Sequence, residues 1–433
     1  MTQYYPPFVP EGSDMHFLYT FLFYLALPFI FMRLIWRSLR QPAYRKRLTE
    51  RLGFYPFSLE KCIWIHAVSV GETIAAIPLI KSLKSRYPHL QMLVTTMTPT
   101  GAERVKSAFG DTVKHAYLPY DLPSAMKRFI KAMNPVICII METELWPNLI
   151  SVCHQRKIPI TLLNARLSEK SAKGYARIAP LTKEMLEQIN LIAAHGVKDA
   201  IRFIALGAAK DKTIVTGNIK FDIEISPEIP AKSASLREQL GKDRFIWIAA
   251  STHEGEEEII LQAHAKLREK NPDALLMLVP RHPDRFDAIA KLSEQDFATV
   301  RRSKNETCTN QTAVYLGDTM GELLVLYGAA DVAFVAGSLI PRGGHNMLEP
   351  GALGKPILTG EHLFNFAEIS ELFVSANAMN KVKDADELAS QLISLMQHPD
   401  EQRKMGERAL QVIANNRGAL AKQVELASSL VVS

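Results

Sequence analysis

Short apolar runs alternate along most of this chain with stretches in which apolar residues recur every three or four positions. The clearest case is Ile63 to Ile80, IWIHAVSVGETIAAIPLI. The run Ile63–Val70 suits a strand buried on both faces, and beyond Gly71 the spacing through Ile74, Ile77 and Ile80 is helical. Comparable runs predict strands at Cys62–Val68, Gln91–Thr95, His115–Tyr117, Val136–Ile140, Ile158–Leu163, Leu191–Ala194 and Thr213–Thr216, with helical patterns between them such as Glu72–Arg86, Pro99–Phe109 and Leu122–Met133. The second half repeats the scheme at Arg244–Ala250, Ala274–Val279, Phe297–Val300, Thr312–Tyr315, Val332–Val335 and Pro356–Leu358, with helices at Glu254–Glu269 and Gly321–Ala330 among others. Regular strand–helix alternation implies parallel sheets with helices on both faces. The expected fold class is therefore α/β, with two Rossmann-like lobes in succession and a cleft between them. SPEIPAKSAS, Ser226–Ser235, is rich in proline and serine and reads as the linker. The expected division is 1–40 for an amino-terminal segment with a membrane helix, 41–225 for the first lobe, 226–240 for the linker and 241–433 for the second lobe. The last helix is allowed to pack back on the first lobe.

The pattern breaks at Phe17–Trp36, where about 20 residues are apolar almost without interruption, long enough to cross a bilayer core. A cleaved signal peptide fits poorly, because no basic residue precedes the run and no small-residue cleavage site follows it. Glu11 and Asp14 lie ahead of it and a cluster of arginines behind it, so the positive-inside rule puts the body of the protein in the cytoplasm. Pro28 and Arg33 keep a second arrangement open, a helix lying in the membrane interface.

At 433 residues, 47% hydrophobic and 22% charged, the chain has the composition of a folded protein of two domains. Its net charge of +6 is concentrated between Met32 and Leu52, where Arg33, Arg37, Arg40, Arg45, Lys46, Arg47 and Arg51 face only Glu50. Positive charge gathered beside an apolar helix suits anionic lipid headgroups. A nucleic-acid polymer is not an expected partner, since such proteins spread basic residues over a folded face. Cys62, Cys138, Cys153 and Cys308 show no C-x-x-C spacing and read as free thiols in a reducing compartment.

Candidate chemistry gathers where strands end. Glu72 falls in the first turn of a helix beyond a strand's carboxyl end, where open α/β sheets bind ligands, and the helix dipole would keep it ionised as a base. METELWPNL, Met141–Leu149, puts Glu142 and Glu144 after the next buried strand, suited to recognition or acid/base work unless one of them caps the following helix. Lys220, in TGNIKFD, could neutralise an anion or simply be solvated. In the second half Arg281 and His282 follow a strand and offer donors to a phosphate. Gly343–Gly344 permits close backbone approach, and His345–Leu353 reads as a helix whose amino end would receive an anion, with Glu349 in reach of a ribose diol. Met320, Gly321 and Glu322 open a further helix. The sequence carries no G-x-S-x-G, H-E-x-x-H or Walker pattern, so serine hydrolysis, zinc proteolysis and P-loop ATP use have no support.

Taken in order behind the apolar segment, HAVSVGE, METELWPNL, TGNIKFD, PRHPDRF and GGHNMLEPGALGKP resemble the 3-deoxy-D-manno-octulosonic acid (Kdo) transferases of Gram-negative lipopolysaccharide synthesis over nearly the whole chain. The resemblance implies the two-lobed GT-B glycosyltransferase fold and transfer of Kdo from CMP-Kdo to a lipid A precursor at the cytoplasmic face of the inner membrane. With a single phosphate on CMP, no metal or other cofactor is expected. It places the catalytic base on Glu72 and transition-state stabilisation on Glu142 and Lys220. The CMP site falls on Arg281, His282, Met320, Gly321, Glu322, Asn346, Met347, Leu348 and Glu349. The rival readings are a GT-B enzyme using a UDP-sugar and a membrane-tethered nucleotide-binding protein without turnover.

Overall fold

A computed structural model describes residues 12–431; Glu11, counted above among the charges ahead of the apolar segment, lies outside the described residues. The chain forms two compact units. One takes the residues up to Ile219 together with those from Arg417 onward, and the other runs from Lys220 to Asn416.

The first unit is built on a seven-stranded parallel sheet: β1 Cys62–His66, β2 Gln91–Thr96, β3 Lys114–Tyr117, β4 Pro135–Met141, β5 Ile160–Ala165, β6 Leu191–Ala194 and β7 Thr213–Val215, in the order β3-β2-β1-β4-β5-β6-β7. Alternate residues of each strand feed two separate cores. Cys62, Trp64, Leu93, Cys138 and Ile140 pack on one face, while Ile63, Ile65, Val94, Ile137 and Ile139 pack on the other. Each such side chain contributes about 1.5–3 kcal/mol by leaving water. Burial on both faces is the physical reason for the continuous apolar runs. Cys62, Cys138 and Cys153 are buried free thiols, and Cys308 is half-buried.

The second unit repeats the plan with β8 Ile246–Thr252, β9 Leu275–Pro280, β10 Thr299–Arg301, β11 Val314–Leu316, β12 Val332–Val335, β13 Ile357–Thr359 and β14 Met379–Lys381, in the order β10-β11-β9-β8-β12-β13-β14, all parallel. The edge strand β14 was not expected.

Two expectations need correction. The stretch expected as a linker is mostly helix, Glu228–Leu240, and belongs to the second unit. Pro230 sits in its first turn, where the missing N–H has no intrahelical partner to lose, and Leu236 and Leu240 are buried. The helix expected over His345–Leu353 is only Leu348–Ala352, because Gly343 and Gly344 hold left-handed backbone (φ +97° and +76°) and the chain ahead of Leu348 is loop. The chain's end leaves the second unit, as the expected division allowed. The helix Ala419–Ser428 belongs to the first, where the fully buried Gln423 accepts from Asn164 N–H (2.9 Å) and donates to Thr216 Oγ1 (3.0 Å).

The apolar segment forms one helix, Gly12–Arg40, long and apolar enough to cross a membrane. Of the basic residues after it, Arg51 is buried, stacked 4.3 Å from the Tyr117 ring and bonded to Met97 O (2.8 Å), and Arg47 pairs with Glu50 (2.6 Å). These two are occupied within the unit, whereas Arg33, Arg37, Arg40, Arg45 and Lys46 are exposed.

Candidate active site

In the first sheet the chain leaves β1 toward β2 on one side and resumes beside β1 with β4 on the other. Loops after β1 and β4 therefore diverge, which opens a place for a ligand at the strands' carboxyl ends. The register pairs His66 with Ile140, so the two strand ends are level.

Glu72 follows β1. Ser69 caps the helix Val70–Arg86, its Oγ accepting from Glu72 N–H (3.3 Å) and donating back to Glu72 Oε1 (2.8 Å), while Val68 N–H donates to Oε2 (2.8 Å). The S-x-x-E signature of a capping box was legible and identifies Ser69, a residue the sequence reading had passed over. The carboxyl is only 8% exposed. Burial raises its pKa to about 7, Ser69 and Val68 pull it down, and the charges of Glu142 and Glu144 raise it further. The helix dipole does not offset the cost of desolvating the Glu72 carboxylate, which is why its pKa lies above the ordinary carboxylate range.

After β4, Glu142 takes left-handed backbone (φ +57°) and its N–H donates to Leu163 O (2.9 Å), turning the chain out of the sheet. Glu144 accepts from Trp146 Nε1 (3.0 Å), and its pKa is raised by burial. Neither acid caps the helix Pro147–Gln155. That is done by Asp121, whose Oδ2 and Oδ1 accept from Asn148 N–H (2.9 Å) and Leu149 N–H (2.8 Å). The structure thus brings Glu72, Glu142 and Glu144 together. Lys220, half-buried in the 3-10 turn Ile219–Phe221, is the first residue of the second unit.

In the second unit the corresponding pair of strands is β8 and β12. Arg281 and His282 follow β9 and are exposed, and Arg281 N–H donates to Thr252 O (3.1 Å). His253 and His345 stack with centroids 5.0 Å apart and their Nε2 atoms at 2.8 Å, and the His282 ring lies 5.4 Å from that of His253. Burial lowers the pKa of His345 to about 4, with Arg281 acting in the same direction. Glu349 accepts from Asn346 Nδ2 (3.0 Å), and burial raises its pKa against the pull of Asn346 and Arg281. Arg281, His345, Asn346 and Glu349 form one electrostatic group. Met347 and Leu348 send their side chains into the core, leaving only backbone to meet a ligand. Met320 is exposed, Gly321 has left-handed backbone, and Glu322 is held ionised chiefly by Arg302 (2.8 Å). The sequence reading had not singled out His253, nor Glu256, whose side chain is fully buried and takes four backbone N–H donors from His253, Gly337, Ser338 and Leu339. Among the described residues no cluster of three or more His, Cys, Asp or Glu is arranged to hold a metal ion.

Two parallel α/β units with polar groups at their switch points match a known architecture. The solved structures of UDP-GlcNAc 2-epimerase from Neisseria meningitidis and of a glycosyltransferase from Rickettsia africae each superpose with a TM-score of 0.55. They cover 86% and 87% of this chain and 99% of their own, at 15% identity. A family model described as "Glycosyl transferases group 1" matches residues 243–412. The protein is a glycosyltransferase of the GT-B type.

The first unit narrows this further, since a family model described as "3-Deoxy-D-manno-octulosonic-acid transferase (kdotransferase)" matches residues 46–223. The 3-deoxy-D-manno-octulosonic acid transferase of Haemophilus influenzae is 47% identical over 415 residues, covering 95% of this chain and 97% of its own. That of Bordetella pertussis is 34% identical, covering 86% and 87%. The chain belongs to the Kdo transferase family, and its activity is Kdo transfer.

Proposed function

We propose that this enzyme transfers Kdo from CMP-Kdo to a lipid A precursor (lipid IVA), with inversion at the anomeric carbon and with Glu72 as general base. The observation that carries this reading is the state of the Glu72 carboxyl: buried, held by two donors, with a pKa near 7 beside Glu142. A base whose pKa matches the working pH combines a useful ionised fraction with a real driving force for proton removal. Glu72 accepts the proton of an acceptor hydroxyl as its oxygen forms the new bond to the anomeric carbon. The bond from that carbon to the CMP phosphate breaks on the opposite face through an oxocarbenium-like state, by analogy with inverting glycosidases.

The first unit is the acceptor-binding domain in this reading and the second is the CMP-sugar-binding domain. Arg281 with the loop around Gly343–Gly344 meets the single phosphate of CMP, Glu349 the ribose, and Met320–Glu322 the rest of the nucleotide. One phosphate needs less neutralisation than a diphosphate, so the proposed mechanism is independent of a divalent metal and of any cofactor. Glu142 and Lys220 would stabilise the charge that develops in transfer. The lipid acceptor puts the reaction at the cytoplasmic face of the inner membrane.

The test is label transfer from radioactive CMP-Kdo to a tetraacylated lipid A precursor. Glu72→Gln should lower turnover at least about 100-fold while CMP affinity is unchanged. Undiminished turnover would remove Glu72 as the base, and release of UMP or UDP by the parent enzyme would overturn the donor.

A further inference from the structure

The amino-terminal helix Gly12–Arg40 is docked on the first unit along its length, and its side chains divide by face. His16, Tyr19, Phe23, Leu27, Leu34 and Ser38 recur at helical spacing and are half-buried or buried. Phe17, Phe21, Leu25, Phe29, Met32 and Trp36 form an exposed apolar stripe on the other side. A stripe of this kind could face lipid in either a spanning or a lying helix, so the inward face decides between them.

That inward face is polar where it meets the unit. Tyr19 Oη donates to Asp121 Oδ2 (3.0 Å), and Thr20 Oγ1 (3.1 Å) and His16 Nε2 (2.9 Å) both meet Asn148 Oδ1. His16 Nδ1 lies 3.6 Å from Glu184. Toward the other end the Phe31 ring meets Tyr120 edge-on at 5.6 Å, Arg37 lies over Tyr44 at 4.6 Å, and Ser38 Oγ accepts from Arg45 Nε (3.1 Å). Asp121 and Asn148 are almost wholly buried; Asp121 caps the helix following the Glu142–Glu144 loop, and Asn148 lies in the first turn of that helix. A helix of 29 residues is about 43 Å long. To span the roughly 30 Å hydrocarbon core it would have to leave the unit, carrying His16 and Thr20 into lipid and leaving the buried Asn148 Oδ1 without its two donors. Lying flat, it keeps every one of these bonds and sets Arg33, Arg37 and Arg40 at the level of anionic headgroups.

We propose that this helix lies in the plane of an anionic lipid surface as a fixed part of the first unit. Its outward stripe sits in the lipid, and His16, Tyr19 and Thr20 act as positioning residues for the loop that carries Glu142 and Glu144. The effect on catalysis rests on the roles given to those acids above; the orientation of the helix does not.

Two measurements on the full-length protein in native membrane vesicles test this. With Asp14→Cys, a membrane-impermeant maleimide should label above the parent protein in inside-out vesicles. Labelling above the parent in right-side-out vesicles would establish a span and overturn the proposal. The double variant His16→Ala/Thr20→Val should lower turnover at saturating substrate roughly tenfold, since small displacements of reacting groups are costly, while membrane retention and unfolding temperature stay near the parent's. The conservative pair His16→Gln/Thr20→Ser should recover turnover to within about twofold, as it keeps the donors to Asn148. Unchanged turnover in the first double variant would overturn the positioning role. Absence of transfer from CMP-Kdo to the lipid A precursor by the parent would instead refute the proposed donor and acceptor and leave the labelling result standing.

Discussion

Glu72 and Glu256 occupy matching places in the two units. Each follows the first strand of its unit in chain order, each lies at the start of the next helix, and each is nearly or fully buried at the switch point. Burial pushes both pKa values up. They differ in what their oxygens meet. Four backbone N–H groups converge on Glu256 and tie the loop Gly337–Leu339 to the helix that starts after β8. Glu72 has one backbone donor and one hydroxyl, and two neighbouring carboxylates raise its pKa instead of lowering it. A buried carboxylate at a strand end is a structural tie when backbone donors saturate it and a reactive group when they do not.

The largest effect that would break this contrast is on catalysis. Glu72→Gln is expected to lose at least about 100-fold in turnover, yet it should not destabilise the fold at neutral or higher pH. The sign follows from linkage. A folded pKa near 7 lies above the ordinary carboxylate value, so the contribution of Glu72 to stability is fully present below about pH 4.5 and is lost as pH rises to 7 and beyond. That loss amounts to about 3 kcal/mol. Denaturant titrations at pH 8 should find the glutamine variant at least as stable as the parent, and the gap should close toward pH 4.5. Glu256→Ala is expected to do the opposite. Four buried N–H groups lose their acceptor, costing about 3 kcal/mol or more in the same titration. CMP affinity should fall as well, because Gly344 N–H bonds to Gly337 O (2.7 Å) and the loop leading to His345 and Asn346 is loosened. If Glu256→Ala spared stability and CMP binding, the distinction between the two acids would fail.

This contrast also marks what the sequence could tell. Leu191–Ala194 and Val332–Val335 were legible to the residue because parallel strands buried on both faces leave an unbroken apolar run. Met379–Lys381 was not, as an edge strand of three residues with an asparagine and a lysine carries no such run. Pro230 and the serines around it concealed a helix, since proline is tolerated in a first turn and the burial of Ser233 depends on a distant partner, Val325 O. The place of Glu72 was visible in its strand–turn–helix setting. Its charge state was not, because that depends on depth, which local pattern does not encode. Asp121 and Asn148 escaped notice for a similar reason: their partners on the amino-terminal helix are more than a hundred residues away in the chain.

A smaller effect, and a sharper one, lies in the pH dependence. If Glu72 must be ionised to accept the proton, turnover at saturating substrate should fall on the acid side with an apparent pKa near 7, by about tenfold per pH unit below it. The Glu256→Gln variant, where it folds, should keep this acid limb in place, because Glu256 does not take part in the proton transfer. An acid limb below pH 5 in the parent would show that the titrating base is an ordinary exposed carboxylate.

The smallest expected change isolates the neighbours. Glu144 raises the pKa of Glu72 through its charge, while its own oxygen is occupied by Trp146 Nε1 (3.0 Å). Glu144→Gln removes the charge and leaves an acceptor for the indole, so packing is little altered. Glu72 should then ionise more readily, and the acid limb of the turnover profile should move to lower pH. Its maximum should fall slightly, because a weaker base has less driving force for proton removal. A shift to higher pH, or none, would mean that the two carboxylates do not sense each other and that burial alone sets the state of Glu72. No comparable variant exists for Glu256, since backbone amides cannot be mutated away and its charge is held by groups that do not titrate.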